Sequence, residues 1–182
     1  KASDIRSLLQ KGNTEVLLFL PTQFMYRFDT NGTPEALKDF IEEIVDFESW
    51  NANDSVWTFI EQLKDGFRKN LGSTYFVDIF TIQKDPQTVF CLFFFSSHIK
   101  GFEKMLEAKW DLDTEQGKGW HYSRSKMGGL FPDQKTHPLE QKLKEFLQIS
   151  TRTNGEIYEF TLGCGFLPKH SVEVFERMQE TD

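Results

Sequence analysis

The chain has 182 residues, of which 38% are hydrophobic and 27% charged, a balance that supports a packed core and argues against disorder. Its net charge of -7 is the opposite of the basic excess that a stand-alone nucleic-acid binder uses against phosphates, and its 19 Phe predict an aromatic-rich core. Two cysteines, Cys91 and Cys164, stand among apolar residues without CxxC spacing, which argues against a disulfide framework or a zinc site and reads as buried thiols.

In chain order, Ser3 to Lys11 reads as a helix with Ile5, Leu8 and Leu9 on one face, stopped by Lys11-Gly12-Asn13. "TEVLLFLP" follows, with five consecutive apolar residues from Val16 to Leu20, the pattern of a strand buried on both faces. Thr22 to Phe28 reads as a short helix. Thr33-Pro34 opens "PEALKDFIEEIVDF", where Leu37, Phe40, Ile41, Ile44 and Val45 recur at helical spacing. Asp54 is placed to cap "SVWTFIEQLKDGFRKNLG", with Val56, Phe59, Ile60, Leu63 and Phe67 on one stripe and Gly72 closing it.

"TYFVDIFTIQ" and "TVFCLFFFSS" read as two strands joined by Lys84-Asp85-Pro86-Gln87, hence antiparallel neighbours, the second of them central. "IKGFEKMLEAKW" then changes to a helical period, with Phe102, Met105, Leu106 and Trp110 on one face. Residues 111–134 read as a polar, Gly-rich loop with a short strand around "GWHYS". Three short helices follow, "PLEQKLKEFLQIS", "TNGEIYEFTLGCG" and "LPKHSVEVFERM", arranged like a helix-turn-helix core. Periodicity alone gives an α/β fold with a mixed sheet. The element order also resembles that at the end of a class I methyltransferase sheet, where an antiparallel hairpin closes the sheet and its final strand inserts between neighbours, but that finer reading rests on a family resemblance and not on periodicity.

Several residues carry candidate chemistry. His98 follows the central strand at a strand-to-helix turn, where its near-neutral pKa would suit acid–base work; the structural alternative is that Ser96 and Ser97 cap the helix and His98 is an ordinary first-turn residue. Lys100 is placed to meet a phosphate at that helix start or simply to be solvated. Gln23 and Arg27, one helical turn apart, could read a base edge or a carboxylate, or form a surface pair. Trp120, beside His121, Tyr122, Arg124 and Lys126, offers stacking and charge for a single strand, or an aromatic folded back over the core. The four histidines are scattered, without HExxH spacing, and no GxSxG occurs, so no metal site and no nucleophile motif is expected. With no signal peptide visible at Lys1 and a longest apolar run of Val89 to Phe95, a cytoplasmic protein with no membrane association is expected.

"FSSHIKGFEKMLEAKWDLD", Phe95 to Asp113, resembles the three-Cys-motif partner protein family through His98, Lys100, Gly101, Met105 and Trp110. "TEVLLFLPTQFMYRF" resembles the family's preceding strand and turn, with Gln23 and Arg27 in the polar positions, and "EIYEFTLGCGFLPKH" resembles its winged-helix-like tail. The resemblance implies a Rossmann-like, methyltransferase-like bacterial protein whose gene neighbour is a three-cysteine, radical-SAM-like protein, a possible partner. No established reaction comes with it. The family's Gly-rich turn after the first strand and its Asp-Pro-Phe-Gly-like motif do not occur here, so the chain is expected to be the C-terminal portion of such a protein. Residues 1–134 would then be part of the methyltransferase-like domain and 135–182 a winged-helix-like region. S-adenosylmethionine would belong to the longer parent and not to this chain, because a doubly wound sheet holds its cofactor over the first strands. The parent would act on nucleic acid or another large substrate, with His98 catalytic and Gln23, Arg27, Lys100 and Trp120 binding substrate. The alternative is a non-catalytic binding module of a phage-defence or mobile-element system.

Overall fold

A computed structural model describes residues 2–30, 34–45, 55–114, 117–121 and 137–180. Its elements in chain order are α1 (Ala2–Leu9), β1 (Glu15–Leu20), α2 (Thr22–Thr30), α3 (Glu35–Ile44), α4 (Val56–Leu71), β2 (Phe76–Asp85), β3 (Thr88–Ser96), α5 (Ile99–Leu112), β4 (Gly119–His121), α6 (His137–Ile149), α7 (Asn154–Gly163) and α8 (Pro168–Glu180). The four strands form one sheet in the order β1-β3-β2-β4. β3 is antiparallel to both β1 and β2, and β4 is parallel to β2. Three strands therefore point one way, and the central β3 runs against them. The β2–β3 hairpin turns where the sequence predicts, with Gln87 N–H donating to Asp85 Oδ1 at 2.8 Å.

The two sheet faces are covered by different helices. On one face α1, α3 and α4 enclose the larger core, in which Phe67 packs edge-on against Phe93 and Phe95, confirming the aromatic-rich core. α4 forms on the stripe expected of it: Val56, Phe59, Ile60, Leu63 and Phe67 are all buried. Its cap is Ser55, whose side chain accepts from Thr58 N–H; Asp54 lies outside the described residues. Gly72 ends it at φ +84°, a left-handed backbone that glycine adopts without strain. α3 starts from Pro34, with no side-chain cap; Thr33 lies outside the described residues.

On the opposite face α5 packs Phe102, Leu106 and Trp110 over Phe94. The tail shares this cluster through Leu162 and Leu167, and Trp110 Nε1–H donates to Gly165 O at 3.0 Å. The three tail helices also have a cluster of their own around Leu139, Leu143 and Val174. α7 forms despite its weak helical pattern because Thr153 and Glu156 make a reciprocal capping box. The expected domain boundary near residue 134 falls outside the described residues, as do Tyr122, Arg124 and Lys126.

Two expectations need correction. β1 is not buried on both faces: it is an edge strand whose Leu17 and Phe19 are 60% and 54% exposed, while Val16, Leu18 and Leu20 pack inward. In α1 only Ile5 and Leu9 are buried; Leu8 points outward. Among the described residues, no helix is long and apolar enough to cross a membrane.

Candidate functional site

The strand directions decide which sequence-predicted residues can meet. In an open α/β sheet, ligands lie beyond the carboxyl ends of the parallel strands. Here those ends are at Leu20, Asp85 and His121. Because β3 runs the other way, His98 and Lys100 emerge at the opposite end. Gln23 and Arg27 of α2 lie at the Leu20 end, where Arg27 Nη2 donates to Gln87 O of the hairpin turn at 3.2 Å. The eight residue steps of β3 separate the two groups by about 26 Å. Trp120 lies on β4 at the far edge, opposite Ile82, and is exposed. The structure therefore pairs His98 with Lys100 and Gln23 with Arg27, and does not gather the five residues into one site.

At the His98 turn, local structure accounts for the residues present. His98 is itself the helix cap, its Nδ1 accepting from Lys100 N–H at 3.1 Å. The serines do not take that role. Ser96 Oγ instead donates to His98 O at 2.8 Å and accepts from His98 N–H at 3.1 Å. A side chain at Gly101 would run into the Glu15 carboxylate and Ser96 Oγ, so the glycine lets α5 approach the start of β1. Lys100 donates to Glu103 at 2.9 Å and to the Tyr158 hydroxyl at 3.0 Å, and Tyr158 in turn donates to Glu103 at 2.9 Å. Donation to Tyr158 and then to Glu103 raises the Lys100 pKa to about 12, and the bonds that Glu103 accepts, led by the one from Lys100, lower its own. Lys100 thus ties α5 to the tail.

A different site emerges at the other edge of the sheet. β4 is three residues long and pairs with Thr81–Gln83 of β2, so that among the described residues the earlier part of that strand has no neighbour on this side. α4, the end of α5 and the α7–α8 turn close around the gap and leave a cavity of about 290 Å³. Its floor holds an ion pair between Asp78 of β2 and Lys109 of α5, 7% and 4% exposed. Burial of both charges is tolerated because each is the other's partner. Lys64 and Glu61 of α4 form a second pair on the wall. Trp57 and Phe166 supply aromatic surface, and Lys118 and His121 stand on the β4 side.

The β4 side is built by its loop. The buried Asp113 carboxylate accepts from Lys118 N–H at 2.9 Å and Gly119 N–H at 3.2 Å. That fixes the entry into β4, and Gly119 passes so close to Thr81 that a side chain would overlap it. His121 Nδ1 is 2.7 Å from Gln83 Oε1, and its ring lies 5.7 Å from that of Trp57.

The cysteines offer no activated nucleophile. Burial pushes the Cys91 thiol far up, reinforced by the Asp78 charge, and burial also raises that of Cys164, which lines the cavity. No group of three or more His, Cys, Asp or Glu among the described residues could hold a metal ion. Sequence reasoning missed the Asp78–Lys109 pair, although two signals point to it. Asp78 is a lone charge inside an apolar strand, and Lys109 and Asp113 continue the buried Phe102–Leu106 stripe at helical spacing.

The chain matches no family model, no curated protein and no solved structure.

Proposed function

We propose that this chain is the C-terminal portion of a methyltransferase-like protein of the three-Cys-motif partner type, forming the last strands of a Rossmann-like sheet and a helical, winged-helix-like tail. The observation that carries this reading is the strand order. A hairpin whose second strand inserts antiparallel between two strands of common direction, here β3 between β1 and β2, is the closing arrangement of a class I methyltransferase sheet. The exposed Leu17 and Phe19 support it, since a further strand and helix beyond β1 would cover them.

Among the described residues, the turns that follow β1 and β3 do not suit S-adenosylmethionine. β1 enters α2 through Pro21, and β3 enters α5 through Ser97 and His98, with no glycine-rich backbone to approach a cofactor. Cofactor binding is assigned to the longer parent, and this chain contributes Gln23 and Arg27 at the carboxyl ends of the parallel strands, the end where a substrate such as nucleic acid would lie. The second reading, a non-catalytic interaction module of a defence or mobile-element system, draws support from His98 and Lys100, whose observed contacts hold α5 in place.

Hydrogen exchange on this chain and on the full-length parent tests the proposal. The β1 amides that point away from β3 should exchange readily here and become protected by tenfold or more in the parent. Equal protection in both would show that nothing pairs with β1 and would remove the reading's main support.

A further inference from the structure

The cavity at the β2–β4 edge is lined by residues of this chain, at the opposite edge of the sheet from β1, so the inference drawn from it does not rest on the methyltransferase-type reading. Its chemistry is specific in three respects. Its charges are unequal: two carboxylates, Glu61 and Asp78, face three lysines, Lys64, Lys109 and Lys118. The carboxylates are committed to Lys64 and Lys109. Among the described residues Lys118 makes no ion pair, and it is an exposed cation at the β4 side.

Flat surface is provided as well. Trp57 lines the cavity yet stays 39% exposed, and Phe166 lines it from the α7–α8 turn. The indole is held against the His121 ring, which Gln83 fixes in turn. Size is the third respect: about 290 Å³ lies just below the roughly 300–1,000 Å³ range of small-molecule sites, room for a small ligand. A closed apolar void would bind a hydrocarbon, and a bare lysine patch would bind any anion. An aromatic wall beside an exposed cation, over an internally neutralised polar floor, selects a planar ring that carries a negative group.

We infer that this cavity binds a mononucleotide, with the base against Trp57 and Phe166 and the phosphate at Lys118. The Asp78–Lys109 pair is left to meet polar edges of the base or sugar from the floor. Aromatic stacking tolerates any base, so discrimination among bases is expected to be weak. Loss of the phosphate should cost far more, because the Lys118 charge would lose its partner.

Calorimetric titration of the folded chain with AMP and UMP tests this, together with adenosine and inorganic phosphate. One site with a dissociation constant below about 1 mM is expected for both nucleotides. Adenosine and phosphate should each bind at least tenfold more weakly. Lys118→Ala and Trp57→Ala, at exposed side chains, should each weaken AMP binding tenfold or more while circular dichroism stays native. On the unsubstituted chain, the Trp57 indole N–H resonance should shift with AMP and saturate at the same concentration. Absence of both heat and indole shift at several millimolar nucleotide would overturn the assignment. So would AMP affinity unchanged in both variants, or inorganic phosphate binding as tightly as AMP.

Discussion

Replacing Lys109 by Met separates charge from packing at the floor of the cavity. Methionine keeps most of the length and apolar stem of lysine but removes the ammonium that meets Asp78. Asp78 is 7% exposed and Lys109 is its hydrogen-bond partner across 31 residues of sequence, so the carboxylate would be left buried without its cation. Breaking a buried pair in this way costs about 3–5 kcal/mol, whereas losing an exposed pair costs about 0–1 kcal/mol. The choice between these magnitudes rests on burial, which here favours the larger. A domain of this size is stable by roughly 5–15 kcal/mol, so the variant should still fold. Asp78→Leu should cost a similar amount. The double variant should return to within about 1 kcal/mol of the original chain, because no uncompensated charge remains. Urea melts of the four chains, followed by circular dichroism, give the cycle. A Lys109→Met loss below about 1 kcal/mol would refute the reasoning, showing that water in the cavity solvates the pair.

Phe94→Ala should cost about 3–5 kcal/mol in denaturant melts, because Phe94 is buried under α5, whereas Leu17→Ala, its exposed partner across β1, should cost less than about 0.5 kcal/mol. His98→Ala should cost about 1 kcal/mol through loss of the α5 cap, and His98→Asn, which can accept the same bond, should recover most of it; equal losses in both would show that the cap contributes nothing. Hydrogen bonds from Lys100 and then Tyr158 hold the Glu103 carboxyl below its ordinary range, so its contribution to stability is present above an unfolded-state pKa of about 4.3 and is lost as pH falls through the lowered value. A carbon-detected NMR titration should place the Glu103 midpoint below that of the same residue in the urea-unfolded chain, and Lys100→Met should raise it more than Tyr158→Phe.

The elements of this fold are legible in the sequence wherever one segment carries its own pattern. The α4 stripe, the β2–β3 hairpin and the seven apolar residues of Val89–Phe95 each report local structure directly. β1 is different. Its run from Val16 to Leu20 is apolar on both sides, and apolarity does not say whether a neighbour is present to cover Leu17 and Phe19. The separation of His98 from Arg27 was likewise invisible, because both follow strands. Only the reversed direction of β3, a non-local property, sends them to opposite ends of the sheet. The cavity draws Trp57, Asp78, Lys109, Lys118 and Phe166 from five separate segments, with no spacing to reveal them. His98 and Gly101 lie in the stretch that carries the family resemblance, and their observed contacts are a helix cap and a close approach to Glu15.

The central claim is that these strands close a methyltransferase-like sheet whose cofactor site is built elsewhere in a longer protein. Titrating S-adenosylmethionine calorimetrically into the full-length parent and into this 182-residue chain tests it most directly. The parent should bind with a dissociation constant in the micromolar range, about −8 kcal/mol, and this chain should give no saturable heat up to about 1 mM. Micromolar binding by this chain alone, or none by the folded parent, would contradict the account.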